Sequence, residues 1–227
     1  MNKIPFSVYD FFGYLASGFL LLASVDYAFG LNWLISEDLP VGIGLLGLIG
    51  AYVLGHLVAH ISSVILELNF LRKVLGSPEE HLFVEPPESL WRYLFPGNFQ
   101  PLPKETKERI LERAKNAGID EPGRALFFHC HPIAKRDNAT LERLNTFLNL
   151  YGFSRNITMA LVLAAVVLVI GGIRDAGVSD IADVRTAKFL GAAMCMLAAY
   201  GMFLRYLKFF RHYTVEVFIS YAETSDD

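Results

Sequence analysis

Two histidines spaced four residues apart are the side chains of this sequence best placed to act together. His56 and His60 lie in a run, residues 41–66, that contains no Lys, Arg, Asp or Glu. Ser63 and Glu67 follow at offsets of seven and eleven residues from His56, which places all four side chains on one side of a regular α-helix. We call these four residues the polar face.

Three kinds of chemistry are open to the polar face. A histidine pair at this spacing can share a metal ion, to which Glu67 could add a carboxylate. The sequence lacks the Glu that follows the first His in zinc hydrolase helices, so we expect no metal there. The two other possibilities are a path for protons or ions and hydrogen bonding between helices. Both are open because polar side chains within a membrane face protein or water. We expect the polar face to line the inner surface of an assembly.

Arg124 and His129 show an Arg-x4-His spacing within a segment that is expected to be helical and cytoplasmic. This spacing resembles the motif of HEPN ribonucleases, in which such an Arg and His from two protomers meet to cleave RNA. Ala125 stands where those families place a polar residue. The resemblance implies Arg124 and His129 as the catalytic candidates, whereas packing in a helical core is the alternative without any activity, and we expect no catalytic residues.

Three side chains that could bind metal, His129, Cys130 and His131, stand in a row, with His81 elsewhere in the same region. On a helix, positions 129 and 131 point about 200° apart, so they cannot hold one ion. Structural zinc sites combine two Cys/His modules, and the sequence offers no second module. We therefore expect neither a metal nor another cofactor.

Four apolar stretches must position these residues. They cover residues 11–25, 41–66, 157–173 and 189–204, and none contains Lys, Arg, Asp or Glu. The two later stretches are flanked by Arg155, Arg174, Lys188 and Arg205. About 20 apolar residues cross a bilayer, and flanking basic side chains extend shorter runs by reaching the headgroups. The pattern predicts an all-α membrane protein with four transmembrane helices.

The polar region between the second and third predicted spans is expected to be a mainly helical cytoplasmic insert. It comprises residues 67–156 and holds 13 Lys and Arg against 12 Asp and Glu. Residues 103–117 form an amphipathic pattern that begins at a proline and predicts a helix. A second helix is expected from 120 to 132, and a third from about 138 into the next span. Residues 90–95 predict a single helical turn.

These elements divide the chain into four regions. Residues 8–66 carry the first two spans, 67–156 the insert, 157–206 the last two spans, and 207–227 a C-terminal helix and tail. Periodic apolar positions beyond the fourth span predict that its helix continues past the membrane. Alternating apolar residues at 214–221 also suit a strand.

Small residues recur every four positions on the second predicted span. This small-residue stripe consists of Gly47, Ala51, Gly55 and Ala59. A second stripe, on the fourth span, consists of Gly191, Cys195 and Ala199. Such stripes let two helix backbones approach closely. We expect both to pack helices together and to build a homo-oligomer.

The distribution of charge predicts the orientation of the chain. Of the 20 Lys and Arg residues, 17 lie on the side that carries the N-terminus, the insert and the C-terminus. Basic residues favour the cytoplasmic side of a membrane, so the insert and both termini are expected in the cytoplasm. The net charge of −3 gives no reason to expect direct nucleic-acid binding. Cys130 and Cys195 fall in cytosolic and intramembrane regions, so no disulfide is expected.

Two short sequence motifs carry a resemblance. YDFFGYLASG at 9–18 and LYGFSRN at 150–156 resemble segments of small uncharacterised bacterial inner-membrane proteins with two helices, a cytosolic insert and two more helices. Some proteins of this shape belong to anti-phage defence systems, as membrane effectors or as membrane subunits. The resemblance implies the four-span topology and a defence role, and it transfers no catalytic residues to this chain.

The resulting expectation is an oligomeric inner-membrane protein that serves as the membrane effector or membrane-anchoring subunit of a defence complex. Its partners would be the lipid bilayer, further copies of itself and a cytosolic protein bound by the insert. It would act by perturbing the membrane or by holding that protein at the membrane. The alternatives are a scaffold without channel activity and a membrane-bound HEPN-like ribonuclease.

Overall fold

The computed structural model describes residues 8–34, 40–85, 88–175 and 182–223. Every regular element in these ranges is helical, which confirms the predicted all-α class. In chain order the elements are α1 (Val8–Phe29), α2 (Val41–Ser62), a π-helix that we call the π segment (Ser63–Leu75), α3 (Pro78–His81), α4 (Leu90–Leu94), a 3₁₀ turn (Pro96–Phe99), α5 (Lys104–Asn116), α6 (Arg124–Ala134), α7 (Asn138–Arg174) and α8 (Ala182–Glu223).

Within the described ranges, four helical stretches are long and apolar enough to cross a membrane. They are α1, α2 with the π segment, α7 and α8, so each predicted span lies in a helix of sufficient length. α7 has 37 residues and α8 has 42, whereas about 20 suffice for a bilayer. α8 continues without a break beyond the apolar stretch 189–204, as the periodic apolar positions predicted. The strand alternative at 214–221 is wrong, because α8 runs through that segment.

The chain forms two compact units. Unit 1 consists of residues 1–67 and 152–203, and unit 2 consists of residues 68–151 and 204–227. The C-terminal part of α8, which the sequence analysis set apart from the insert, therefore folds in the same unit as the insert. The reason is its apolar face, which extends the helical period beyond the span and packs into the core of unit 2.

An apolar core to which four helices contribute stabilises unit 2. Its fully buried members include Ile110 of α5, Leu126 of α6, Leu144 of α7 and Phe218 of α8. The ring of Phe83 meets that of Phe218 edge-on, with 5.0 Å between the centroids. Full burial of one such side chain contributes about 1.5–3 kcal/mol. Unit 2 therefore has a hydrophobic core of its own.

The helices of the insert lie close to their predicted positions. α5 begins after Pro103 and is followed by Gly118, whose φ of 77° lies in the left-handed region that glycine adopts readily. α6 ends at Ala134 and not, as predicted, at Pro132. Pro132 stands in the last turn, where its missing N–H removes one hydrogen bond only, and the N–H of Lys135 still donates to the carbonyl of His131.

α1 and α2 cross closely at two glycines of unit 1. A Cβ added to Gly18 would overlap the carbonyl group of Ala51, and one added to Gly55 would overlap the carbonyl group of Tyr14. A Cβ added to Gly47 would meet nothing within 4 Å. The centre of the small-residue stripe thus packs against the first helix of the same chain.

The second stripe packs mainly on α7. A Cβ added to Gly191 would lie 3.4 Å from Cδ1 of Leu168. Cys195 packs against a buried cluster that includes Leu168 and Ala192, and Ala199 is buried. The second stripe therefore contacts α7 of the same chain through side chains.

The helical stretch that begins with α2 continues beyond the apolar run 41–66. The helix continues as the π segment as far as Leu75, and Gly76 follows with a φ of 77°. No Gly or Pro interrupts residues 56–75, so nothing in the local sequence breaks the helix there. The predicted end at residue 66 marked the limit of the uncharged run and not of the helix. Stretches of π-helix are rare and are frequent at functional sites.

Candidate functional site

The polar face begins with a cluster of three rings at the crossing of α1 and α2. The ring centroid of His56 lies 4.2 Å from that of Tyr14 and 4.5 Å from that of Tyr52. The Tyr14 and Tyr52 rings meet edge-on at 6.4 Å. All three distances are those of aromatic contacts. The glycine at position 55 makes this cluster possible, because it lets the backbone of α1 come close to α2.

His60 lies one turn further along α2, with an exposed side chain, and Ser63 is half-buried. Over the ranges that the structure describes, no group of three or more His, Cys, Asp or Glu side chains could hold a metal ion. An exposed imidazole in the middle of an apolar helix needs water, a headgroup or another chain as its neighbour.

A buried hydrogen bond joins α2 to α7 immediately before Ser63. Oγ of Ser62 lies 3.0 Å from Oδ1 of Asn156 and 2.8 Å from the carbonyl oxygen of Ala59. Both Ser62 and Asn156 are buried. Because the acceptor sits on another helix, the bond fixes how the two helices are rotated about their axes.

An ion pair joins the same two helices at the start of the π segment. Nη1 of Arg155 donates to Oε2 of Glu67 at 2.5 Å, and both side chains are largely buried. A charge-assisted hydrogen bond of this kind is stronger than one between neutral groups. A π-helical turn holds more residues than an α-helical turn, so Glu67 is rotated away from the line through His56 and His60 and faces α7.

The remaining candidates lie on α6, in unit 2, and contact different neighbours. Arg124 is exposed at the start of the helix. The ring of His129 meets that of Tyr221 edge-on at 5.6 Å, and Nε2 of His131 lies 2.8 Å from the hydroxyl of Tyr213. Within one chain, His129 therefore converges with neither Arg124 nor His131.

Burial changes the proton affinity of two groups on α6. Cys130 is fully buried, and burial raises the pKa of its thiol to about 12. A thiol that stays protonated is a poor nucleophile and a poor metal ligand. Burial also lowers the pKa of His131, and the positive charge of Lys135 acts in the same direction. Both effects favour the neutral form of the His131 imidazole.

Comparison with known proteins assigns no family. No protein-family model, curated protein or solved structure shows a significant match to this chain. The function proposed below is therefore based on the residues of the chain itself and on the contacts that they make.

Two buried polar links were not foreseen from the sequence, where Arg155 and Lys188 were treated only as charges flanking the spans. Arg155 pairs with Glu67, and Lys188 donates from Nζ to Oδ2 of Asp175 at 2.5 Å and to the carbonyl oxygen of Ala28 at 2.9 Å. In each case a basic and an acidic residue stand at adjoining ends of two consecutive predicted spans. This is the feature of the sequence that indicates the pair. In both cases the basic side chain points to a neighbouring helix of the same unit.

Proposed function

We propose that the chain is a multi-pass protein of the bacterial inner membrane that anchors a cytosolic protein partner, as the membrane subunit of an anti-phage defence complex. The observation that carries the proposal is that three helical stretches each contain residues of both units. α2 with the π segment, α7 and α8 each pass from unit 1 into unit 2 without a break. A partner bound to unit 2 would therefore be attached to helices that also carry the apolar spans.

The exposed apolar side chains of unit 1 support the bilayer as the first partner. Leu46 on α2 is 68% exposed and Leu197 on α8 is 73% exposed. Soluble proteins rarely leave long apolar helix faces in water. The hydrocarbon core of a membrane is the solvent in which such side chains are stable.

Basic residues support a cytoplasmic location for unit 2. Those that flank the spans where the chain enters unit 2 are Arg72, Lys73, Arg143, Arg155, Arg205, Lys208 and Arg211. Such residues favour the cytoplasmic side of a membrane. Lys3 and the central residues of the two short turns, 35–39 and 176–181, lie outside the described residues.

The surface of unit 2 supports a protein partner. Eight of the 13 residues of α5 are charged, with both signs interspersed. Only Ile110 and Ala114 of this helix are buried. A mixed surface of this kind suits complementary recognition of another protein, whereas direct nucleic-acid binding requires a predominantly basic one.

The anchoring role is tested by measuring which soluble proteins depend on this chain for their presence in the membrane fraction. Membranes are prepared from the native bacterium with and without the chain, and their proteins are quantified by mass spectrometry. We expect at least one soluble protein to move to the cytosol when the chain is absent and to return when it is restored. An unrelated four-span protein expressed in its place serves as the control. If no soluble protein changes fraction while the chain itself is in the membrane, anchoring is excluded.

The exposed His60 favours a second mode of action, membrane perturbation by an oligomer. A polar side chain at the depth of the second span needs protein or water beside it. Copies of the chain arranged with this side of the helix inward would provide both for His60 and Ser63. This arrangement would also give the homo-oligomer a polar interior.

Membrane potential in cells tests the second mode. The double variant His56→Leu/His60→Leu removes both imidazoles, and Leu57→Ala changes an exposed apolar residue on the same turn as a control. If the wild-type chain depolarises cells, the double variant should not, while the control should. Depolarisation that is unchanged in the double variant would remove the polar face from the mechanism.

A further inference from the structure

We infer that α4 is an interfacial anchor that lies in the headgroup layer of the membrane and binds an anionic lipid surface. The inference depends on the membrane insertion in the proposed function and adds a second, lipid-binding contact made by unit 2. Neither the defence role nor the identity of a protein partner enters into it.

α4 presents apolar side chains on its outer side. Tyr93 is 80% exposed and Leu90 is 68% exposed, and none of the five residues of the helix is buried. Positions three residues apart on a helix lie about 60° from one another, so the two side chains share one side. An outward apolar pair on a short helix is unfavourable in water. It is favourable in the boundary between headgroups and acyl chains.

Trp91 packs α4 against the π segment. Its ring meets that of Phe70 edge-on at 5.5 Å and stacks with that of Phe95 at 6.2 Å. Phe70 stands four residues after Leu66, on the same unbroken helix. Positions only a few residues beyond an uncharged run are where Trp and Tyr are enriched at the membrane–water interface.

Exposed basic side chains stand on α4 and on the π segment, the two elements that the Phe70–Trp91 contact joins. Arg92 of α4 is exposed, as are Arg72 and Lys73 of the π segment. The acidic residues nearest to α4 in sequence, Glu85 and Glu88, belong to the preceding loop and are also exposed. Cations beside an apolar ridge are the combination by which peripheral helices bind anionic leaflets. This charge pattern favours phospholipid over a second copy of the chain as the occupant.

A fluorescent label at position 93 tests the inference in the full-length protein. In a Cys195→Ser background, Cys130 is the remaining thiol, and it is buried and protonated. Tyr93→Cys can then be labelled selectively with an environment-sensitive dye. The protein is reconstituted in nanodiscs of phosphatidylcholine with or without phosphatidylglycerol. Lipids that carry a spin-label quencher, near the headgroup in one set of nanodiscs and along the acyl chain in another, report contact between the dye and the bilayer at both depths.

Two further labelled variants separate the possible outcomes. Leu197→Cys reports whether the spans are in the bilayer, because Leu197 is an exposed apolar residue of α8. Lys104→Cys, at the charged start of α5, serves as the aqueous control. If the dye at 197 is not quenched, membrane insertion itself fails, and with it the proposed function.

With the dye at 197 quenched, the account predicts that the dye at 93 also loses most of its emission and that the dye at 104 retains its emission. The loss at 93 should be larger when phosphatidylglycerol is present. A dye at 93 that behaves like the one at 104 would overturn the inference. Blue-shifted emission at 93 without quenching by lipid would also overturn the inference, because a second copy of the chain, and not lipid, would then cover α4. Quenching that does not depend on phosphatidylglycerol would overturn the binding of anionic lipid.

Discussion

Nη1 of Arg155 lies 2.5 Å from Oε2 of Glu67, and the two residues occupy equivalent positions on neighbouring helices. Glu67 is the first charged residue after the run 41–66, and Arg155 is the last one before the run 157–173. The pair therefore joins α2 and α7 where their uncharged runs end together. Two charges of opposite sign that are largely removed from water stabilise each other at this boundary.

Replacing Glu67 by Gln should destabilise the protein. The variant leaves the largely buried Arg155 without its carboxylate partner, and the expected loss is about 1–3 kcal/mol, between the values for exposed and fully buried pairs. Denaturant unfolding in detergent measures it. Glu108→Gln is the matched control, since it breaks the exposed pair with Lys104 and should leave the midpoint unchanged. Equal midpoints for the two variants would show that the Glu67 pair does not contribute to stability.

Substitution by alanine should have opposite effects on stability at two glycines of the small-residue stripe. Gly55→Ala places a methyl group against the carbonyl of Tyr14 and should force α1 and α2 apart, whereas Gly47→Ala meets open space. In a helix, alanine is otherwise favoured over glycine by about 1 kcal/mol. We expect Gly55→Ala to lower the thermal unfolding temperature in detergent and Gly47→Ala to maintain or raise it. A decrease with Gly47→Ala, together with loss of the oligomer, would instead place this end of the stripe between copies.

Cys130 should not react with maleimide in the folded protein. The side chain is fully buried and the pKa of its thiol is about 12, so at pH 8 only about one thiol in ten thousand is a thiolate. A Cys195→Ser variant leaves Cys130 as the single target, and mass spectrometry counts the adducts. Labelling should be absent in mild detergent and complete after unfolding. Rapid labelling under native conditions would contradict the burial of α6 in the core of unit 2.

Acidification should destabilise unit 2 through His131. Its imidazole stacks on Phe127 at 5.6 Å and contacts the Tyr213 hydroxyl, and burial lowers its pKa in the folded protein. The unfolded chain then binds the proton more tightly than the folded protein does. The stabilising contribution is present above the unfolded pKa of about 6.5 and is lost as the pH falls below it.

Thermal unfolding at about pH 7.5 and about pH 5.5, on either side of the usual histidine pKa, measures this contribution. In His131→Phe, which keeps an aromatic ring, the decrease in unfolding temperature on acidification should be smaller than in the wild type. His129→Phe provides the comparison at a neighbouring histidine. An identical pH dependence in the wild type and His131→Phe would exclude His131 as the titrating group.

The fold could be predicted from the sequence where a helix is specified by its own residues. The uncharged runs and the amphipathic period of α5 each indicate a helix locally, and both were placed correctly. The end of the helical stretch that begins with α2 was misplaced because hydropathy records where the uncharged run ends, whereas the π segment continues to Leu75. The extension of α6 past Pro132 was missed for a related reason, since a proline in the last turn removes only one bond.

The partners of the candidate residues could not be predicted, because partners depend on which helices become neighbours. The spacing of Gly55 indicated a close approach, but not that Tyr14 and Gly18 of α1 would make it. Asn156 and Ser62 are 94 positions apart, and no local pattern connects them. The π geometry after Ser63 also has no periodic signal in the sequence, so the rotation of Glu67 towards α7 emerged only from the structure.

The central claim is that four helices cross the membrane and leave unit 2 in the cytoplasm. The most direct measurement is labelling of single cysteines in intact cells with a maleimide that cannot cross the inner membrane. In a Cys195→Ser background, Trp33→Cys lies in the turn after α1 and Lys104→Cys lies in unit 2, and both positions are exposed. We predict labelling at 33 in intact cells and at 104 only after lysis. Labelling at 104 in intact cells, or a protein that stays monodisperse in buffer without detergent, would contradict the account.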